Sequence, residues 1–550
     1  MHEGSPAYYA SYGYRDVEQS LPPTEETVLP VCSMTKAVTS AAIGILVEEK
    51  KARWDMLVKD ALPSFDINDE ILQHHMTLAD LLCHRSGMAW GDNLFMGTDN
   101  VLISGKDAMR YFNSQTRVLP FRGQYAYNDL PYELAGKAVE SLSGESFFDF
   151  VQRRILDPLG MTRTFLKTPN ANLDDVGKCY NTLDDGTAAA ITPIKRGDDW
   201  FGAPSAGMRS CASDLMKLYK AFITCFNDQF ATGKTSTDGL PLKQVAHLMS
   251  AKVLVDPSSR NEASYGFGWA RVQLPGKLGH IGMNPDFMPG GMPIVGEGVT
   301  PRLVIFHQGS GPGALSLVVL LPDTESAIIV LSNALALNDV ADWVGQLVLE
   351  EFLEVPECER NDYIAASKAS AAVNLEWYPN IVKELQGRGG TSRELEAYAG
   401  TYWDSVHIFK IVVTVEKDEL YWALQGLDSD KFRLTHYRDD VFTWLQPRDD
   451  LSRRGRWVGP DQEPSFWKVE FKMGDGPDRC SKCVRQDARG AIRTIDNTTQ
   501  VVNSARRTVH RHADDFLITA FVTTSVCLTS NAGYILLERE MDKSLGTREL

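Results

Sequence analysis

Apolar residues recur at helical spacing over Met34–Glu49, where Ala37, Val38, Ala41, Ala42, Ile45 and Leu46 fall on neighbouring turns and Gly44 is the first interruption. The same period predicts helices over Pro131–Leu142 and Phe147–Leu156. Runs rich in branched residues predict strands later, over Leu303–Phe306, Leu315–Leu321 and Ala327–Leu331. Pro/Asp turn chemistry stands between the last two. A short strand-like lead, YASYGYRDV, opens the chain, and a helix over Val340–Glu351 closes this first unit. Residues 1–355 therefore read as α/β. Residues 356–392 read as a helical linker, with a helix over Tyr363–Leu385 ended by the punctuated loop GRGGTSRE. Residues 393–500 alternate apolar and polar positions between polar turns, a small all-β domain. Its aromatics Tyr402, Trp403, Tyr421, Trp422 and Trp444 read as core rather than as a ligand platform. Residues 501–550 form a tail of unassigned structure.

The first helix carries the sharpest chemistry. Ser33 and Lys36 lie three residues apart, on one helix face and one turn from each other. A hydroxyl needs a base beside it to act as a nucleophile. A lysine held against an apolar helix loses ammonium hydration, so its pKa falls from about 10.4 towards neutrality and it can accept a proton. Taken alone, the pair reads first as a helix-capping serine followed by a solvated lysine, since S-x-x-K recurs by chance in a chain of this length.

Further segments change that balance. FRGQYAYNDLPYELAGKAVESLSGESFFDFVQRRILDPLGMTRT lies downstream, and LVIFHQGSGPGALSLVVLLPDTESAIIVLSNA lies beyond it. Thr77 to Gly87 reads MTLADLLCHRSGM with its flanks, and Leu156 to Thr164 reads LDPLGMTRT. In order and context these segments resemble the active-site motifs of the serine β-lactamase and penicillin-binding-protein superfamily, most closely the class C branch with its esterases and peptidases. The resemblance runs from about residue 8 to about 355. It implies an antiparallel sheet packed by a helical cluster, with the active site in the cleft between, followed by a small lipocalin-like barrel of the kind found in fungal members. The family begins with a helix and an edge strand for which few residues precede YYASYGYRD here.

On this resemblance Ser33 is the nucleophile and Lys36 its base partner. The segment Tyr132-Glu-Leu-Ala-Gly136 sets the register of the second motif, placing Tyr127 in the general acid or base slot and Asp129 where the family has Asn. An ionised Asp only accepts hydrogen bonds, whereas Asn also donates. It is expected to hold Lys36 protonated more firmly and to repel acidic substrates. The other register would use Tyr125, with Asn128. A phenol of pKa about 10 works as a base near neutrality only when a cation stabilises the phenolate, and Lys36 is the candidate. His307-Gln-Gly309 stands where β-lactamases carry K-T-G, so the cation that binds a β-lactam carboxylate is missing. His307 is expected to donate a hydrogen bond to Tyr127 or to substrate. The N–H groups of Ser33 and Ser310 are assigned to the oxyanion hole, with Asp129, Gly309 and Ser310 against the substrate.

The expected activity is a serine hydrolase working through an acyl-enzyme on an ester or amide of a small organic molecule, with no metal and no cofactor. An acyltransferase of secondary metabolism would use the same residues, and a non-catalytic binding protein could keep the same fold. No G-x-S-x-G elbow is present; Ala203-Pro-Ser-Ala-Gly207 is a near miss. A formal charge of −16 with no basic stripe argues against nucleic acid. No run of 18 apolar residues predicts a membrane span, and no secretory leader is evident, so a cytoplasmic location is expected. Nine cysteines, an odd number, suit a reducing compartment, and Cys480-Ser-Lys-Cys483 lacks the second pair that a zinc site requires. The loops around Trp90–Gly97, Asp198–Gly207 and Pro285–Gly298 are expected to wall the pocket, the last as a candidate lid.

Overall fold

A computed structural model describes residues 8–89, 95–98, 101–167, 172–193, 201–390, 393–460, 462–472, 483–486 and 535–539. Cys480, a small basic run in the tail (Arg506, Arg507, His510, Arg511 and His512) and parts of two pocket loops lie outside the described residues.

The main sheet is a six-stranded antiparallel meander: β1 (Val253–Leu254), β2 (Ala263–Tyr265), β3 (Ala270–Leu274), β4 (Arg302–Gly311), β5 (Ala314–Leu321) and β6 (Ser326–Ser332). The three late strand patterns form, and the first of them is longer than its apolar run. β4 continues past Phe306 through the third motif to Gly311 because β5 pairs with it all the way, His307 opposite Val318 and Gly309 opposite Ser316. On its other edge the pairing with β3 stops at Ala270 opposite Phe306. The stretch from His307 to Gly311 is thus left with one edge turned to the helical cluster.

That cluster is built on α1 (Thr35–Glu48), whose residues from Thr35 to Leu46 are all buried. A helix apolar all round belongs in a core. Its neighbours include α2 (Leu130–Ser143) and the short segments Ala203–Ala206 and Val245–Leu248, and the long amphipathic α3 (Ala212–Thr232) packs on Val245–Leu248 and on β6. The β2–β3 turn reaches α1 through Gly268, at φ +77°, where a Cβ would lie 2.7 Å from the Lys36 carbonyl oxygen. Only glycine allows both that backbone and that approach.

The strand expected over YASYGYRDV does not form. Only an isolated bridge, Asp16 to Leu21, occurs there, and Tyr8 and Tyr12 are almost wholly exposed. Strand propensity without a paired neighbour gives no strand.

α4 (Val340–Phe352) closes the first unit, and α5 (Tyr363–Glu384) is docked on it instead of bridging freely. Trp343 Nε1 donates to Ser370 Oγ at 3.1 Å, and Asn374 Nδ2 donates to the Leu337 carbonyl at 2.8 Å. Beyond it, eight strands close an antiparallel barrel: Gly400–Asp404, Lys410–Glu416, Glu419–Leu424, Lys431–Arg438, Val441–Thr443, Lys468–Lys472, Cys483–Gln486 and Ile535–Arg539. The last comes from the stretch read as a tail; it pairs with both Gly400–Asp404 and Cys483–Gln486.

Tyr402, Trp422 and Trp444 fill the barrel core. Trp403 and Tyr421 do not. Strand alternation turns them outward, Trp403 against the His407 ring and Tyr421 to Glu419. The barrel is fastened to the first unit through buried polar groups. Asp430 accepts from the Thr98 backbone N–H at 3.0 Å and pairs with Arg456 at 3.1 Å, both side chains almost fully buried. Asn181 Nδ2 donates to the Ser452 carbonyl at 3.0 Å.

Candidate active site

Ser33 sits in a single 3-10 turn, Cys32–Met34, leading directly into α1. The residue before it, Cys32, is held at φ +46°, a left-handed conformation that costs a non-glycine residue free energy and is kept only where its surroundings enforce it. They do so here. The Cys32 carbonyl accepts from Thr35 Oγ1 at 2.6 Å, Thr35 Oγ1 accepts from the Met208 N–H at 3.0 Å, and the Val31 carbonyl accepts from Ser316 Oγ at 2.9 Å. The nucleophile turn is clamped between α1, the segment after Gly207 and β5.

One helical turn on, Lys36 is fully buried. Its Nζ donates to Ser33 Oγ at 2.8 Å, to the Ser205 carbonyl at 3.2 Å and to Asp129 Oδ1 in a short ion pair. Asp129 stands immediately before α2, and its side chain keeps 21% of its surface exposed. The near-miss segment Ala203–Gly207 is therefore part of the site, through its main chain and not its serine hydroxyl. It is pressed there by Gly136 of α2, where a Cβ would run into Pro204.

The structure brings Tyr127, and not Tyr125, to the serine. The Tyr127 and Ser33 hydroxyls hydrogen-bond each other, and the Lys36 ammonium lies 4.9 Å from the Tyr127 ring centre. Asn128 points away, its Nδ2 donating to the Met88 and Ala89 carbonyls. The register with Tyr127 and Asp129 is the one assembled. Burial, and next the Asp129 charge, push the Tyr127 phenol well above its ordinary range. Lys36 does not rescue a phenolate, because its charge is already met by Asp129.

His84 is a member of the site that the sequence reading passed over, although it lies in the quoted Thr77–Gly87 segment. Its carbonyl accepts from the Ala126 N–H at 2.8 Å and its Nδ1 from the Asn128 N–H at 3.2 Å. These two bonds bracket Tyr127, whose ring packs on the imidazole at 4.3 Å. An accepting Nδ1 requires a neutral ring, and burial, with Lys36 second, holds the His84 pKa well below its ordinary value.

His307 is also neutral, held down to about 3 by burial first and then by Lys36. Its Nδ1 lies 2.5 Å from the Gln308 carbonyl and must donate to it. Nε2 therefore accepts from Tyr265 Oη at 2.8 Å. The hydrogen bond expected from His307 to Tyr127 is not available, because both ring nitrogens are engaged. The imidazole instead ties β4 to β2.

Two residues on, Gly309 lies against the nucleophile turn. A Cβ there would lie 2.5 Å from the Val31 carbonyl oxygen and 3.1 Å from the Ser33 nitrogen. This closeness puts the free edge of β4, including Ser310, alongside the Ser33 N–H. Among the described residues no helix is long and apolar enough to cross a membrane.

The chain is similar to several known proteins. Residues 387–479 match the family model described as a domain of unknown function, DUF3471. The unguisins hydrolase ungD of Aspergillus violaceofuscus is 24% identical over 467 residues, covering 78% of this chain and 76% of that protein. Its counterpart ungD' from Aspergillus campestris is 28% identical over 430 residues, 73% and 71% of the two chains. The octameric penicillin-binding protein homologue from Pyrococcus abyssi aligns over 86% of this chain and 89% of its own, at a TM-score of 0.49 and 20% identity. The family model described as beta-lactamase matches residues 1–349, well over half of the molecule, and the chain belongs to that family of serine hydrolases.

Proposed function

We propose that the protein hydrolyses an ester or amide of a small organic molecule through an acyl-enzyme on Ser33. The observation that carries this reading is the Lys36–Ser33 hydrogen bond of 2.8 Å at a buried helix start. Such a contact sets beside the serine the amine that becomes its base once it has given up a proton. The N–H groups of Ser33 and Ser310 receive the carbonyl oxygen as it becomes an oxyanion. Preorganised donors of this kind are worth roughly 10²–10³ in kcat each. Tyr127 and His84 fix the hydroxyl network around the serine, and Gly309 lets β4 approach the nucleophile turn. Among the described residues beside the nucleophile, Lys36 is paired and His307 is neutral. That favours neutral substrates over carboxylates. The resemblance to two Aspergillus proteins named as hydrolases of unguisins supports hydrolysis over acyl transfer.

The test is covalent. A fluorophosphonate probe should add one label to the purified protein, mapped by mass spectrometry to Ser33. Ser33→Ala should lose both the label and the turnover of an activated ester while melting as the native protein does. Labelling elsewhere, or near-native turnover by Ser33→Ala, would remove Ser33 as the nucleophile.

A further inference from the structure

An ammonium carries three hydrogens, and Lys36 directs them to Ser33 Oγ, the Ser205 carbonyl and Asp129 Oδ1. In that state it has no lone pair with which to take the serine proton. Tyr127 is not a substitute, since its phenol is driven upward by burial and by Asp129. The other titratable groups facing the pair are neutral as well. His84 and His307 are held low by burial and by Lys36, and Tyr125 and Tyr132 are held high, chiefly by burial. The local ions are therefore Lys36 and Asp129 alone among these groups, and the proton has to move between them.

Resting on the hydrolase reading above, we propose that Asp129 is the terminal proton acceptor of a Ser33–Lys36–Asp129 relay. Lys36 passes one proton to Asp129 Oδ1: an N–H bond breaks, an O–H bond forms, and an ion pair becomes a neutral amine beside a neutral acid. No net charge is created, which matters in a site this buried. The Ser33 hydroxyl turns to the freed amine lone pair and gives it a proton as Oγ attacks the substrate carbonyl. The carbonyl π electrons move onto oxygen. As the tetrahedral species collapses, the re-formed ammonium protonates the departing alcohol or amine, directly or through the Tyr127 hydroxyl. Water repeats the sequence in deacylation, and the proton on Asp129 returns to Lys36 at the end. Asp129 is suited to this end of the relay by geometry. It touches the lysine, and its side chain is 21% exposed while that of Lys36 is fully buried.

The carboxylate could instead serve only to hold Lys36 as an ammonium, and the two roles give opposite results. The rate constant for fluorophosphonate labelling of Ser33 would be followed from pH 5 to 10 in the full-length chain. Fluoride departs without needing a proton, so the measurement isolates nucleophile activation. For the relay, the native protein should label at a nearly constant rate between pH 6 and 9. Asp129→Asn should be slower by about 100-fold or more at pH 7, the scale of general-base catalysis. It should then regain about tenfold per pH unit, as solvent removes the lysine proton instead. Asp129→Asn labelling at the native rate or faster at pH 7 would overturn the relay. So would a native rate that climbs log-linearly through neutrality, a result that needs no variant to fold. Absence of any Ser33 label on the native protein would instead refute the hydrolase reading itself.

Discussion

Substituting Gly309 by alanine tests the central geometric claim, that β4 is pressed against the nucleophile turn. The new methyl carbon would sit 2.5 Å from the Val31 carbonyl oxygen and 3.1 Å from the Ser33 nitrogen, with Ser316 Oγ closer still. The first two are backbone atoms and cannot swing aside. Ordinary carbon–oxygen contact starts near 3.4 Å, so β4 and the Cys32–Met34 turn must separate by about 1 Å. A misplacement of that size costs roughly 10²-fold in rate, about 2.7 kcal/mol of transition-state stabilisation. Overpacking adds about 1–3 kcal/mol of lost stability. The assay pairs kcat/KM on an activated ester with a thermal melt. Gly290→Ala is the control, since a Cβ there meets nothing within 4 Å and the variant should behave as the native protein. If Gly309→Ala keeps kcat/KM within threefold of native at an unchanged melting temperature, the strand does not abut the nucleophile and the oxyanion assignment falls with it.

Other consequences can be checked independently. Nitrocefin turnover should be far below that of a dedicated β-lactamase, because His307 is neutral and Lys36 is committed to Asp129; rapid turnover would show that a cation is free in the cleft. His307 has a folded pKa near 3 against about 6.5 when unfolded, so its stability contribution is complete above pH 6.5 and is lost as pH falls towards 3. At pH 5 the loss is about 2 kcal/mol, so the melting temperature should drop between pH 7 and 5 by more in the native protein than in His307→Gln; parallel curves would mean that the imidazole is solvated. Asp430→Ala would strand Arg456 in the barrel contact and should cost about 3–5 kcal/mol in urea denaturation. A loss under 1 kcal/mol would place the pair in solvent.

The readable parts of this fold were those where one segment suffices. The apolar period of α1 and the branched runs of β4 to β6 gave elements within a few residues of their observed ends. Helical spacing put Ser33 and Lys36 on one face and the resemblance of the surrounding segments gave them their roles, while Tyr127 with Asp129 followed from the Tyr132–Gly136 anchor within it. What stayed hidden depends on partners far away in sequence. The lead over YASYGYRDV has strand-forming residues but no strand to pair with. His84 looks like any histidine until the 126–128 loop wraps it, and Ser205 contributes a carbonyl that no side-chain motif encodes. Trp403 and Tyr421 were misread because aromatic content does not reveal which way an alternating strand is turned. The role of His307 changed because Tyr265, 42 positions away, takes its nitrogen.

The clamp around the nucleophile joins pieces of chain that are remote from one another. The Ser316–Val31 bond spans 285 residues, the Lys36–Ser205 bond 169 and the Lys36–Asp129 pair 93. Contacts of that span form late, since closing long loops comes before the contacts that reward it. Reactivity at Ser33 therefore reports on completed assembly of the whole first unit. In a refolding experiment, helix signal should return before Ser33 can be titrated, and the lag between the two would time the docking of the sheet onto the helical cluster.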